Sequence, residues 1–206
     1  ITTGGKAMRK LSAVSVLLVI AALSAQIAYA EDLPKSKQTK LGLYVTAEEA
    51  AKMKESQDAL FIDIRSRAEV AFLGLPTAVD IHMPYMVMPM MASFNMDKGA
   101  YDLEINPDFL SVFKAYAAEN GVSLDSPIIL MCRSGSRSAR AADLLADIGY
   151  TQVYSLVDGY EGDKVKDGPH KGLRKVNGWR NAGLQWSYKE TPDQVYPDDR
   201  YYGSIA

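Results

Sequence analysis

Pro127-Ile128-Ile129-Leu130-Met131 runs without a polar residue into Cys132-Arg133-Ser134-Gly135-Ser136-Arg137-Ser138. The apolar run has the length and character of a buried parallel strand. Ser138 to Ile148 reads as a helix closed by Gly149. A strand that turns at once into a helix puts the intervening loop at the carboxyl end of a sheet, where open α/β sheets bind ligands. The unpaired N–H groups and the dipole of the helix start then face whatever Cys132 holds. Gly135 allows a tight turn without a Cβ clash. Ser134, Ser136 and Ser138 can cap N–H groups or bind a ligand, and Arg133 and Arg137 add fixed positive charge.

The same alternation extends outward. Thr46-Ala47-Glu48-Glu49 is a capping box that opens a helix to about Ser56. Ala59 to Arg65 suits a buried strand. Ser66 and Glu69 form a second capping box for a short helix through Ala71. Ala78-Val79-Asp80-Ile81 reads as a strand. Pro107 sits at a first helical position after Asn106, in a helix that runs to Asn120-Gly121. Gln152 to Val157 reads as a strand, and Gly178 to Leu184 as a short helix. Strands alternating with helices predict an α/β domain built on a parallel sheet.

The chain has 206 residues and a formal net charge of −2. Met8-Arg9-Lys10, the apolar stretch from Leu11 to Ala25 and the exit Ala28-Tyr29-Ala30 have the pattern of a secretory leader cleaved after Ala30. Ile1 to Ala7 precede that start. The expected protein is therefore periplasmic or secreted, without stable membrane association once the leader is removed. The leader carries Lys6, Arg9 and Lys10 and no acid, so the remainder is more acidic than the whole. Such a balance argues against a nucleic-acid partner. The expected organisation is a leader over 1–30, a flexible lead-in over 31–43, one domain over 44–188 and a tail over 189–206.

Cys132 is the only cysteine. It can form no intramolecular disulfide, and a lone thiol in an exported protein is exposed to oxidants. Helix start and arginines together favour thiolate over thiol, and would stabilise an anion bound there. That chemistry requires a sulfur that reaches solvent at the mouth of the sheet, with main-chain amides turned toward it.

Cys132-Arg133-Ser134-Gly135-Ser136-Arg137 resembles the active-site loop of single-domain rhodaneses, exported type. Asp63-Ile64-Arg65 with Glu69 resembles the family's Asp-x-Arg-x-x-x-Glu element. Gly178-Trp179-Arg180-Asn181-Ala182-Gly183-Leu184 resembles its closing Trp-x-x-Ala-Gly-Leu segment. The resemblance implies a rhodanese-like three-layer domain, with a central, mostly parallel sheet flanked by helices. It implies a thiosulfate sulfurtransferase in which Cys132 becomes a persulfide. Arg133, Ser134, Gly135, Ser136 and Arg137 would bind the donor, while Asp63, Arg65 and Glu69 support the loop. The partners would be a small sulfur-donor anion and a thiol or protein acceptor, with no cofactor and no metal. Phe72-Leu73-Gly74-Leu75-Pro76-Thr77-Ala78 keeps the family's proline and alanine before the next strand but lacks its histidine.

Other readings stay open. A persulfide carrier without fast turnover would use the same thiol. Cysteine-dependent phosphatases share the fold, but their loops place five residues between cysteine and arginine, where this chain has four. Met83 to Ile105 is an insertion holding Met83, Met86, Met88, Met90, Met91 and Met96 beside His82. Thioethers select Cu(I), yet methionine also fills gaps and meets partners. The tyrosine-rich tail, with Tyr188, Tyr196, Tyr201 and Tyr202, could dock a partner, yet packing of the tail on its own domain is the favoured expectation.

Overall fold

The computed structural model describes residues 33–201. The expected leader over 1–30 lies outside the described residues, as does Tyr202. From Tyr44 the chain forms β1 (Tyr44–Val45), α1 (Ala47–Ser56), β2 (Leu60–Asp63), α2 (Arg67–Leu73), β3 (Leu75–Pro76) and β4 (Ile81–His82). It continues through β5 (Met86–Val87), β6 (Phe94–Asn95), β7 (Ala100–Tyr101), β8 (Glu104–Ile105) and α3 (Phe109–Glu119). It closes with β9 (Ile128–Met131), α4 (Ser136–Asp147), β10 (Val153–Leu156) and β11 (Trp186–Ser187).

The central sheet has the order β1-β10-β9-β2-β4, and every pair in it is parallel. The strand that leads to Cys132 is thus the middle one. Alternation along β9 divides its side chains between two layers. Ile128, Leu130 and Cys132 face Phe109 and Phe113 of α3 and Ala141 and Leu145 of α4. Ile129 and Met131 face Ala50 and Met53 of α1, Val70 of α2, and Trp179. Helices therefore cover both faces, which is why the middle strand β9 is apolar throughout rather than alternating with polar residues.

Both expected capping boxes form: Thr46 Oγ1 accepts from Glu49 N, Ser66 Oγ from Glu69 N, and each glutamate returns a bond to its cap. Other boundaries differ for local reasons. The strand expected from Ala78 starts only at Ile81. Val79 N closes a turn onto Pro76 O, and the Asp80 carboxylate takes Phe61 N at 2.7 Å and the Lys54 ammonium. Helix α3 starts at Phe109 rather than Pro107, because the Asn106 side chain turns the chain by accepting Asp108 N and donating to Pro84 O. Helix α4 starts at Ser136, two residues early. Residues 178–184 form consecutive turns, not a helix, bracketed by Gly178 and Gly183 at positive φ.

The lead-in read as flexible is tied down. Lys37 pairs with Asp163, and Lys40 holds Asp143 through its N–H and Asp147 through its ammonium. The methionine insertion is divided. Met83 and Tyr85 are core, whereas Met88, Met90, Met91 and Met96 lie exposed around two short ladders, β5 with β8 and β6 with β7. The tail packs on its own domain: Gln194 O accepts His82 N at 2.7 Å, Asp199 pairs with Arg67, and Tyr196 is buried. Tyr188 is exposed. Among the described residues no helix is long and apolar enough to cross a membrane.

Leu130, fully buried between the sheet and α3 and α4, tests this layering. Leu130→Ala should lower unfolding free energy by about 2–5 kcal/mol in urea titration. A loss below about 1 kcal/mol would contradict the core assignment.

Candidate active site

Helix α4 begins one residue after Gly135, which sits at φ 98°. A Cβ there would strike the Val157 carbonyl, so the position needs glycine for space as well as for backbone geometry. The turn aims the Gly135 N–H at Cys132 Sγ, 3.1 Å away. Sγ also lies 3.7 Å from Ser138 Oγ, to which a thiol would donate. Ser138 Oγ is itself fixed by Gly135 O and Ser155 Oγ, each at 2.9 Å.

One expectation needs correction. The sequence reading requires a sulfur that reaches solvent, but Cys132 is 1% exposed. The alternation that turns Ile128 and Leu130 toward α3 and α4 also turns Cys132 inward. A main-chain amide does face the sulfur; open access to it is missing in this conformation.

A second stretch of chain backs the loop. Tyr160 N donates to Cys132 O at 2.8 Å, and Glu161 N to Arg133 O at 3.0 Å. Gly159 sits at φ 63°, and a Cβ there would fall about 2.5 Å from the Arg133 carbonyl carbon and Ser134 N. Behind it, Trp179 N donates to Gly159 O and Arg180 N to Tyr160 O. Asp158 Oδ2 accepts Gly178 N at 3.1 Å, while Oδ1 is buried without a partner among the described residues. Burial pushes the Asp158 carboxyl up to about 6, against the N–H groups that bond it.

The loop arginines are both engaged. Arg133 pairs with Glu161 through Nε. Arg137 grips Glu69 with two bonds, at 2.7 and 2.5 Å. Burial opposes the charge on Glu69, but the Arg137 bonds and charge, with Ser66, outweigh it and hold the carboxyl down at about 2. Glu69 thus joins the α2 cap to the cysteine loop. Ser134 and Ser136 are half-buried on the loop. Asp63 and Arg65 form a fully buried pair at 2.5 Å. Arg65 also donates to Gly74 O at 2.7 Å and stacks 3.9 Å from the Tyr160 ring centroid. Its route to Cys132 is therefore indirect, through Tyr160 and the bond onto Cys132 O.

Glu161, Lys37 and Arg174 carry no motif and were missed. Burial, followed by the Arg133 charge, pushes the Arg174 guanidinium below its ordinary range. The usable signal was the turn Asp158-Gly159-Tyr160-Glu161-Gly162 at the carboxyl end of the last parallel strand. His82 does not face the methionines as a ligand. It is buried, with Nε2 on Arg65 O at 2.8 Å and Nδ1 3.7 Å from Glu190 Oε2. Among the described residues no group of three or more His, Cys, Asp or Glu could hold a metal ion.

A family model for the rhodanese-like domain matches residues 46–166. An uncharacterised protein of Rickettsia prowazekii is 27% identical over 133 residues, covering 65% of this chain and 86% of its own. The thiosulfate sulfurtransferase GlpE of Haemophilus influenzae is 34% identical over 73 residues, 35% of this chain and 63% of its own. The crystal structure of Rv0390 from M. tuberculosis superposes with a TM-score of 0.50 at 28% identity, covering 70% of this chain and 96% of that chain.

Two carboxylates give pH signatures of opposite sign. The folded Glu69 value lies below its ordinary 4.5, so its stabilisation is complete above pH 4.5 and is lost as pH falls toward about 2. Glu69→Gln should cost about 3 kcal/mol at neutral pH, a gap that closes on acidification. A pH-independent gap in thermal denaturation would contradict the pairing. Asp158 is raised, so its burden on the fold is present above about pH 6 and fades as pH falls toward 3.8. Asp158→Asn should therefore gain stability relative to the parent as pH rises from 4 to 8, and a flat difference would refute this.

Proposed function

The chain belongs to the rhodanese-like domain family, and on that premise we propose that it is a sulfurtransferase in which Cys132 carries sulfane sulfur from an anionic donor, thiosulfate or a close analogue, to a thiol or protein acceptor. The observation that carries the reading is the Gly135 N–H donated to Cys132 Sγ at 3.1 Å, where β9 gives way to α4. The family membership supports sulfur transfer in general, and the GlpE relative is by name a thiosulfate sulfurtransferase.

The steps follow from the residues. The Cys132 thiolate attacks the outer sulfur of the donor. The donor's sulfur–sulfur bond breaks, sulfite leaves with the electron pair, and a persulfide remains on Cys132. A nucleophilic acceptor then takes the terminal sulfur and the thiolate returns. This is covalent catalysis in two half-reactions. No general base is required when the thiol is already ionised. The Gly135 amide at the helix start bears part of the negative charge on the sulfur in each state. Four residues between Cys132 and Arg137 make a cradle suited to a single sulfur atom rather than a phosphoryl group. Because Cys132 is covered, donor binding has to uncover Sγ. In this proposal the leader over 1–30 sends the protein to the periplasm or outside the cell.

The 1% exposure of Cys132 favours a second reading, a persulfide carrier that discharges only to a docked partner. Steady-state kinetics separates the two. A transferase gives parallel double-reciprocal lines when thiosulfate and cyanide are varied, and Cys132→Ser abolishes turnover. A carrier gives a single stoichiometric burst and then stops. Full activity in Cys132→Ser would defeat both.

A further inference from the structure

Residues 163–177 fold back on themselves beside the cysteine loop. Lys164 and Arg174 form an antiparallel bridge, and Val165 N donates to Leu173 O at 2.9 Å. The base of this hairpin is pinned to the segment after β10. Arg174 Nη1 donates to Gly162 O at 2.6 Å, Asp163 N to Asn177 Oδ1 at 2.7 Å, and Asn181 Nδ2 to Glu161 O at 3.0 Å. Glu161 N in turn donates to Arg133 O. The hairpin is thus fastened by side-chain bonds at its base to the segment whose Glu161 N–H holds the cysteine loop.

The cations on the cysteine loop and on the segments that back it are not equivalent. Arg133 is matched by Glu161, Arg137 by Glu69, and Lys37 by Asp163. Arg174 lies within reach of the Glu161 and Asp163 charges, but these two carboxylates pair with Arg133 and Lys37. Its Nε is buried and has no hydrogen-bond partner among the described residues. A buried guanidinium N–H without an acceptor is costly, and an incoming oxyanion removes that cost.

We propose that Arg174 is the donor-specificity residue of this site, binding the oxyanion end of a small thiosulfonate donor while the donor's sulfane sulfur meets Cys132. The inference rests on the sulfur-transfer reading above. It moves donor capture from Arg133 and Arg137, which act as clamps on the loop, to a residue of the charged hairpin.

The ping-pong cycle supplies the test. Its kcat/KM for thiosulfate reports the donor half-reaction, and its kcat/KM for cyanide reports the acceptor half-reaction. Arg174→Gln should lower kcat/KM for thiosulfate by about tenfold or more, leave that for cyanide unchanged, and leave transfer from an uncharged organic persulfide unchanged. Arg174→Lys should retain part of the thiosulfate activity. Equal losses in both half-reactions would mean that Arg174 only props Gly162, and would overturn the proposal. So would an unchanged kcat/KM for thiosulfate. In both cases sulfur transfer by Cys132 still stands. Absence of turnover and of persulfide in the unsubstituted protein would sink the underlying reading together with this one.

Discussion

The Gly135 amide can reach Cys132 Sγ only because the chain turns from strand to helix within four residues. That turn depends on Gly135 at φ 98°, lodged against the Val157 carbonyl. Much of the rest exists to hold the turn. Gly159 lets the chain after β10 lie flat against the loop, where Tyr160 and Glu161 bond its carbonyls. Trp179 and Arg180 hold that layer from behind. Arg65, neutralised by Asp63, braces the Tyr160 ring. The site is a stack of main-chain layers, and side chains mainly lock the layers together.

Charge is distributed on the same plan. Buried ion pairs gain little net stability over apolar packing, because desolvation offsets their attraction. Their value here is positional. Glu69 with Arg137 joins α2 to the loop, Asp63 holds Arg65 under the Tyr160 ring, and either pair leaves a buried charge uncompensated if one partner is lost. The exposed pair Lys98 with Asp102 on the insertion has no such role and contributes little.

Local signals in the sequence carried most of the fold. The two capping boxes, the apolar run before Cys132 and the closing Gly149 depend on neighbours a few residues apart, so inspection finds them. The errors came from distant partners. Asp80 serves Phe61 N through its side chain, which shortens β4. Lys37 and Lys40 find acids over a hundred residues away, which orders a lead-in whose composition reads as flexible. Met83 and Tyr85 look like part of a methionine-rich loop but complete the core beside α3. At the site, Cys132 and Gly135 were legible from their place between an apolar strand and a helix, and the Asp63–Arg65 and Glu69 element only through the resemblance to rhodaneses. The engagement of both loop arginines was not, because Glu161 and Glu69 come from other elements. The burial of Cys132 was missed because the alternation along β9 was not carried one residue past its end.

The persulfide on Cys132 is the claim on which the chemistry stands. Mass spectrometry of the intact protein after incubation with thiosulfate measures it most directly, with peptide mapping to locate the change. The account predicts a gain of one sulfur atom on the peptide containing Cys132, removed by cyanide and absent in Cys132→Ala. Turnover of thiosulfate with Cys132 left unmodified, or sulfur gained equally by Cys132→Ala, would contradict it.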